Sequence, residues 1–250
     1  MALVAPAGRG IDRRRDCPDP RDYRYSKVHR AHAPIERKVD LSPGLPLPWD
    51  QGGEATSAAH AAAALACYLW PSAAPQEVLD EVLYWCSRYQ CEVARSPSTQ
   101  VRDVMRVTRH IRCRCPLAAA DRCRIATYSR LVQTSSYLDC LASGYPFVLG
   151  FEAFESLYSD DVARSGVMRI PSSDEAAVGG HAVLVVGYDL DFRQSRALAD
   201  SGLDPALVSD RALFARNSWG PDWGIGGYFW MPLEHATNPS TGGDAWTGRL

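Results

Sequence analysis

Apolar positions follow two different periods along this chain. Ser57 to Leu69 reads SAAHAAAALACYL, nearly all strong helix formers, with Pro71 just beyond its end. Alanines on all sides predict a buried helix with close neighbours. Gln76 to Gln90 carries Val78, Val82 and Trp85 on one stripe with Leu79, Leu83 and Cys86 beside it, and predicts a second helix. Thr99 to Ile111 predicts a third. From Gly144 the period changes. Phe147–Phe151 (FVLGF), His181–Tyr188 (HAVLVVGY), Ala212–Arg216 (ALFAR) and Gly227–Met231 (GYFWM) are β-branched and aromatic runs bounded by Gly, Pro and Asp. They read as short strands. The polar, turn-rich stretch Leu190–Asp210 reads as an insertion in a strand connection. Residues 1–48 are polar, punctuated by proline and without period. They read as an arm laid on the body or a removable segment, and equally fit a frayed terminus. A helical first part and a strand-rich second part, with no internal repeat, predict an α+β fold of two lobes.

Composition narrows the class. At 250 residues and 46% hydrophobic, the chain can bury a sizeable core as one large domain or two packed lobes. A charged fraction of 22% excludes a disordered, low-complexity chain. The net charge of −2 gives no reason to expect nucleic acid or an anionic membrane as partner. No run approaches the roughly 18 apolar residues of a membrane span. Met1–Arg9 has no apolar stretch of signal-peptide length, so the expectation is a cytoplasmic protein. The eight cysteines then read as free thiols rather than disulfides. Cys113-Arg114-Cys115 with Cys123 and Cys17 invites a zinc reading, but the spacing fits no standard site. No metal or other cofactor is expected.

Three places carry candidate chemistry. Asp50-Gln51-Gly52 is followed by Ser57 at the start of the alanine-rich helix. Gly179-Gly180-His181-Ala182-Val183 sets one histidine at the head of an apolar strand. Arg216-Asn217-Ser218-Trp219-Gly220-Pro221-Asp222-Trp223-Gly224 sets an amide and two tryptophans after another. Singly, each has a bland alternative: a structural histidine, a turn asparagine, a core tryptophan pair. In this order, and with the segments GGHAVLVVGYD and RNSWGPDWGIGGYFWMP, the chain resembles the papain-like cysteine peptidases, in particular their compact bacterial branch. The Asp-Pro-Arg-Asp-Tyr segment at residues 19–23 and Gly144-Tyr145-Pro146 extend the likeness.

The resemblance implies a papain-like two-lobe fold. A helical lobe would span residues 49–145 and a lobe with an antiparallel β-barrel-like sheet residues 146–250. The active-site cleft would lie between them, and the arm, residues 1–48, would occupy or border it. The implied substrate is a peptide or protein. By the same resemblance Ser57 stands at the position of the nucleophilic cysteine, and His181 is the paired general base and acid. Asn217 orients the imidazole. Gln51 donates to the oxyanion beside the backbone N–H of residue 57. Trp219 covers the Asn–His contact, and Gly180 and Ser98 border the substrate. A thiol at a helix N-terminus beside an imidazolium loses its proton readily, giving the thiolate–imidazolium pair that attacks a peptide carbonyl.

Ser57 departs from that pattern, because a hydroxyl is too weakly acidic to store such an ion pair. Three accounts stay open: a substitution introduced to trap an active peptidase, a natural pseudopeptidase that binds or scaffolds, and a working serine nucleophile. The same acyl-enzyme chemistry also serves an acyl transferase or peptide ligase. Two further departures are Ser98, where the family pattern has glycine, and Glu54, where secreted relatives carry a disulfide cysteine.

Overall fold

The computed structural model describes residues 13–29, 34–89, 100–111 and 125–250. In chain order the elements are α1 (Tyr25–Val28), β1 (Lys38–Asp40), α2 (Ser57–Leu69), α3 (Pro75–Tyr89), α4 (Val101–Val107), β2 (Thr127–Leu131), α5 (Thr134–Ala142) and β3 (Phe147–Phe154). There follow α6 (Asp160–Ser165), β4 (Ala177–Asp189), α7 (Arg196–Ser201), β5 (Ala212–Arg216), β6 (Tyr228–Pro232), α8 (Leu233–Thr237) and β7 (Asp244–Arg249). The turn-rich stretch 190–210 holds α7 between two short 3-10 turns, Phe192–Gln194 and Pro205–Leu207.

All strand pairs are antiparallel, in the order β2-β7-β3-β4-β5-β6, with β1 on the far end of β4. Among the described residues this sheet does not close on itself. The barrel-like sheet implied by the family resemblance is therefore an open sheet. A run of strands specifies that strands exist, while closure depends on which edges meet, and here β2 and β6 end the path unpaired with each other.

Strands β3 and β4 bury both faces, which is why they read as unbroken apolar runs. Val148, Ala182, Leu184 and Val186 point into one core, together with Ala58, Ala59 and Ala61 through Cys67 of α2, Val78 and Val82 of α3 and Val104 and Met105 of α4. Phe147, Leu149, Phe151, Val183 and Val185 alternate into a second core with Tyr137, Leu213, Trp219 and Phe229. Helix α2 can lie against β3 and β4 because its alanines keep the surfaces close. Pro75 opens α3, where its missing N–H costs no helical bond.

The arm docks along both parts of the body. Arg13 N–H donates to Gly180 O at 3.1 Å. Asp16 N–H donates to Asp244 Oδ2 at 3.0 Å, and Trp246 Nε1 and the Arg102 backbone N–H donate to the Asp16 carboxylate at 2.6 and 3.3 Å. Gln100 Nε2 donates to Arg15 O at 2.8 Å. Residues 13–16 thus bridge the start of α4 and strands β4 and β7. Further on, β1 pairs Lys38–Asp40 with Asp189–Gly187, a strand that the polar composition of the arm did not announce.

Candidate active site

Ser57 is the first residue of α2 and has no solvent exposure; its Oγ has no hydrogen-bond partner. Histidine 181 lies on β4 opposite Phe151 of β3, and it too is fully buried. Helix α2 packs against β4, so the elements carrying the two residues are in direct contact. Asn217 follows directly on β5, which pairs with β4.

His181 Nε2 and Asn217 Oδ1 are 2.8 Å apart. The same Oδ1 accepts the Ser218 backbone N–H at 2.8 Å, which fixes the oxygen end of the amide toward the imidazole. An oxygen can only accept, so Nε2 carries the proton and Nδ1 bears the lone pair. That Nδ1 is buried without a partner, as is Ser57 Oγ. A buried polar atom without a partner is costly in a purely structural role, and here there are two, on elements that touch. Burial lowers the His181 pKa to about 4, against the smaller opposing effect of the Asn217 hydrogen bond, so the ring is neutral at pH 7. Trp219 stacks on the imidazole with ring centroids 4.9 Å apart, and the Phe151 ring meets its edge at 5.7 Å.

Gln51 is buried in the loop before α2. Its backbone N–H donates to Ser218 O at 2.9 Å, its Oε1 accepts the Ser218 hydroxyl, and its Nε2 donates to Glu54 O at 2.6 Å. The second hydrogen of that amide is a further donor. Asp50 forms an antiparallel bridge with Trp219. The loop entering α2 is therefore tied, through Asp50 and Gln51, to Ser218 and Trp219 in the segment that follows β5. Gly180 offers its carbonyl to the arm, one residue before His181. Ser98 lies outside the described residues, as do Cys113, Cys115 and Cys123.

Three features had no clear signal in the sequence. Ser218 links Gln51 to the Asn217 loop, yet reads as an ordinary turn serine. Arg216 is a buried charge at the end of an apolar strand; it donates to Pro46 O, and to Leu47 O at 2.9 Å, and its guanidinium lies 5.0 Å from the Trp49 ring centre. A charged residue closing the run ALFAR was its only signal. Asp244 collects contacts from Arg13, Asp16 and Arg130.

Residues 93–241, more than half of the chain, match the model of the papain family cysteine proteases. The match contains His181, Asn217 and Trp219 and begins after Gln51 and Ser57. Over 106 residues the chain is 36% identical to an uncharacterized peptidase C1-like protein of Acanthamoeba polyphaga mimivirus, covering 42% of this chain and 28% of that one. Over 123 residues it is 32% identical to a cathepsin B-like protein of Giardia intestinalis, covering 46% of this chain and 34% of that one. The matches thus span about a third or less of these relatives. Among solved structures, xylellain, a cysteine protease from Xylella fastidiosa, is similar in fold, with a TM-score of 0.73 at 24% identity over 99% of both chains. Digestive procathepsin L 3 of Tenebrio molitor larval midgut follows with a TM-score of 0.60 at 18% identity, over 97% of this chain and 76% of that one. Sequence match, strand topology and the histidine–asparagine pair agree, and the chain belongs to the papain family of cysteine proteases.

Proposed function

We propose that the site is built to cleave peptide bonds through residue 57, and that Ser57 leaves this chain with a complete site around a crippled nucleophile. The observation that carries the proposal is the bare, buried Nδ1 of His181, held in that tautomer by Asn217. With cysteine at position 57, the thiol gives its proton to Nδ1. The thiolate attacks the substrate carbonyl carbon, and the oxyanion is met by the Gln51 amide and the backbone N–H of residue 57. His181 then returns the proton to the leaving amine, and a thioester remains. His181 takes a proton from water, the hydroxide attacks the thioester, and the acid product leaves with the thiolate restored.

With serine the first step fails. A serine hydroxyl is far less acidic than a thiol and does not surrender its proton to an imidazole in the ground state, so no ion pair is stored. In an unrelated triad enzyme, loss of the nucleophile costs on the order of 10⁶ in kcat. Retention of Gln51, His181, Asn217 and Trp219 around a single changed atom favours a trapped peptidase over a natural pseudopeptidase. The binding-protein reading is favoured by another observation: Ser57 and His181 are both fully buried, and the arm is bonded at Gly180, the residue before His181. On the peptidase reading the arm limits substrate entry. Peptide hydrolysis by a Ser57→Cys chain tests the proposal; absence of hydrolysis after the arm is loosened favours the binding protein.

A further inference from the structure

We propose that His60 is a positioning residue for Asn217, and that it acts through one water molecule held between α2 and the end of β5. This rests on the peptidase reading of the site. His60 stands three residues after Ser57, so the two lie on one face of α2. It is 6% exposed and interrupts a run of alanines. An imidazole buried there is costly unless its nitrogens are bonded.

One nitrogen is bonded within the helix. His60 Nδ1 is 2.9 Å from Thr56 O. A carbonyl only accepts, so Nδ1 carries the proton and Nε2 of the neutral ring bears the lone pair. Burial holds the His60 pKa below its ordinary value, reinforced by the Arg216 charge and opposed by the Thr56 hydrogen bond and the charges of Glu54 and Asp50. The neutral ring therefore prevails at pH 7, with Nε2 as an acceptor.

A small cavity lies at this junction, lined by His60 of α2, Ala182 of β4, and Arg216, Asn217 and Ser218 at the end of β5. It leaves about 10 Å³ for the centre of a water-sized sphere, room for a single water molecule. Most polar groups on its walls are engaged elsewhere. Arg216 donates to Pro46 O and Leu47 O, and the Ser218 hydroxyl donates to Gln51 Oε1. Asn217 Oδ1 accepts from His181 Nε2 and from the Ser218 N–H, while Asn217 Nδ2 is buried with no protein partner. One wall thus offers a donor and the other an acceptor, across a gap the size of one water. That water accepts from Asn217 Nδ2 and donates to His60 Nε2, and a lone pair on Ser218 Oγ can take its second hydrogen.

The bridge has a consequence for catalysis. Asn217 is held at its nitrogen as well as at its oxygen, so the amide cannot turn away from His181. The orientation of the imidazole is then referred to α2, the helix that carries residue 57. A hydrogen bond at Nδ2 also strengthens the Asn217 oxygen as an acceptor.

Three measurements on the full-length chain test this. In a crystal structure of the native chain, one ordered water should lie within about 3.2 Å of both Asn217 Nδ2 and His60 Nε2. A dry cavity, or a water that reaches only one of the two, overturns the bridge, and this result stands even if the variants below do not fold. Solvent exchange of the His181 Nε2 proton is then followed by NMR with serine at position 57. His60→Phe, which fills the space without an acceptor, should speed exchange at least tenfold, and His60→Gln, which restores an accepting oxygen, should stay within about threefold of native. Equal exchange in all three chains, or equal acceleration in both variants, overturns the positioning role. Finally, with Ser57→Cys in every chain, His60→Phe should lower kcat about tenfold with KM within about twofold, and His60→Gln should recover most of that loss. Hydrolysis with equal losses in the two variants, or with no loss, overturns the positioning role and leaves the peptidase reading standing. No hydrolysis by any chain, with the water and the exchange pattern as expected, keeps the bridge and overturns the peptidase reading.

Discussion

His181 Nε2 donates to Asn217 Oδ1 across 2.8 Å, and that oxygen also holds the Ser218 N–H, so the imidazole has one tautomer available and turns its lone pair away from the asparagine. The pair joins strand β4 to the residue that follows its neighbour β5, and Trp219 stacks on the ring. Everything proposed for residue 57 depends on that lone pair.

Removing the orienting amide should therefore act on turnover rather than on binding. In a Ser57→Cys chain, Asn217→Ala should lower kcat on the order of 10²-fold, the cost of a misplaced catalytic group, with KM little changed. Steady-state kinetics on a short peptide read both constants. An unchanged kcat contradicts the orienting role of Asn217.

The arm is clasped through Asp16, whose carboxylate accepts from Trp246 Nε1 and the Arg102 backbone. Asp16→Ala leaves two buried donors without an acceptor and should cost about 1–3 kcal/mol in urea unfolding. Asp16→Asn keeps one oxygen and should cost less. In a Ser57→Cys chain, Asp16→Ala should also raise turnover of small peptides severalfold by freeing the approach along Gly180. Lost stability with unchanged turnover reduces the arm to a structural strap.

Acid should weaken the fold through the histidines. The His181 pKa is about 4 in the folded chain, because burial penalises the imidazolium, against about 6.5 when unfolded. The unfolded chain binds the extra proton between those values, so stability rises with pH across that window and is lost as pH falls through it. His60 and His235, also lowered by burial, act in the same sense. Asp16, raised by burial, acts in the opposite sense above the ordinary carboxylate range. Comparing native and His181→Gln chains isolates the one group. The substituted chain should lose stability less steeply between about pH 6.5 and 4, by up to roughly one proton. Parallel curves contradict a neutral, buried His181.

Much of this architecture is legible in local pattern. The alanine run sets both ends of α2 at Ser57 and Leu69, and the apolar runs locate β3, β4, β5 and β6 to within a few residues. His181 and Asn217 stand out because each follows or opens such a run inside a recognisable segment. What stays hidden is long-range and polar. Asp16 meets Asp244 across 228 positions, and such a contact leaves no period. The strand Lys38–Asp40 is too short and polar to show alternation, and it gains order only from β4. Closure of the sheet depends on edge pairing, which apolar content does not encode.

The most direct test of the catalytic account is the rate of iodoacetamide alkylation at position 57 in a Ser57→Cys chain, at about pH 5.5, where ordinary thiols are almost wholly protonated. Other thiols serve as internal standards: burial pushes Cys86 up to about 12 and raises Cys140 as well. The measurement is made with the arm intact and with it loosened by Asp16→Ala, so that access and acidity are told apart. The account predicts that Cys at position 57 is modified first in the loosened chain, that peptide hydrolysis accompanies that reactivity, and that His181→Ala abolishes both. A thiol at position 57 that reacts no faster than the other cysteines, with the arm loosened and the fold retained, would contradict the thiolate–imidazolium pair and with it the peptidase reading.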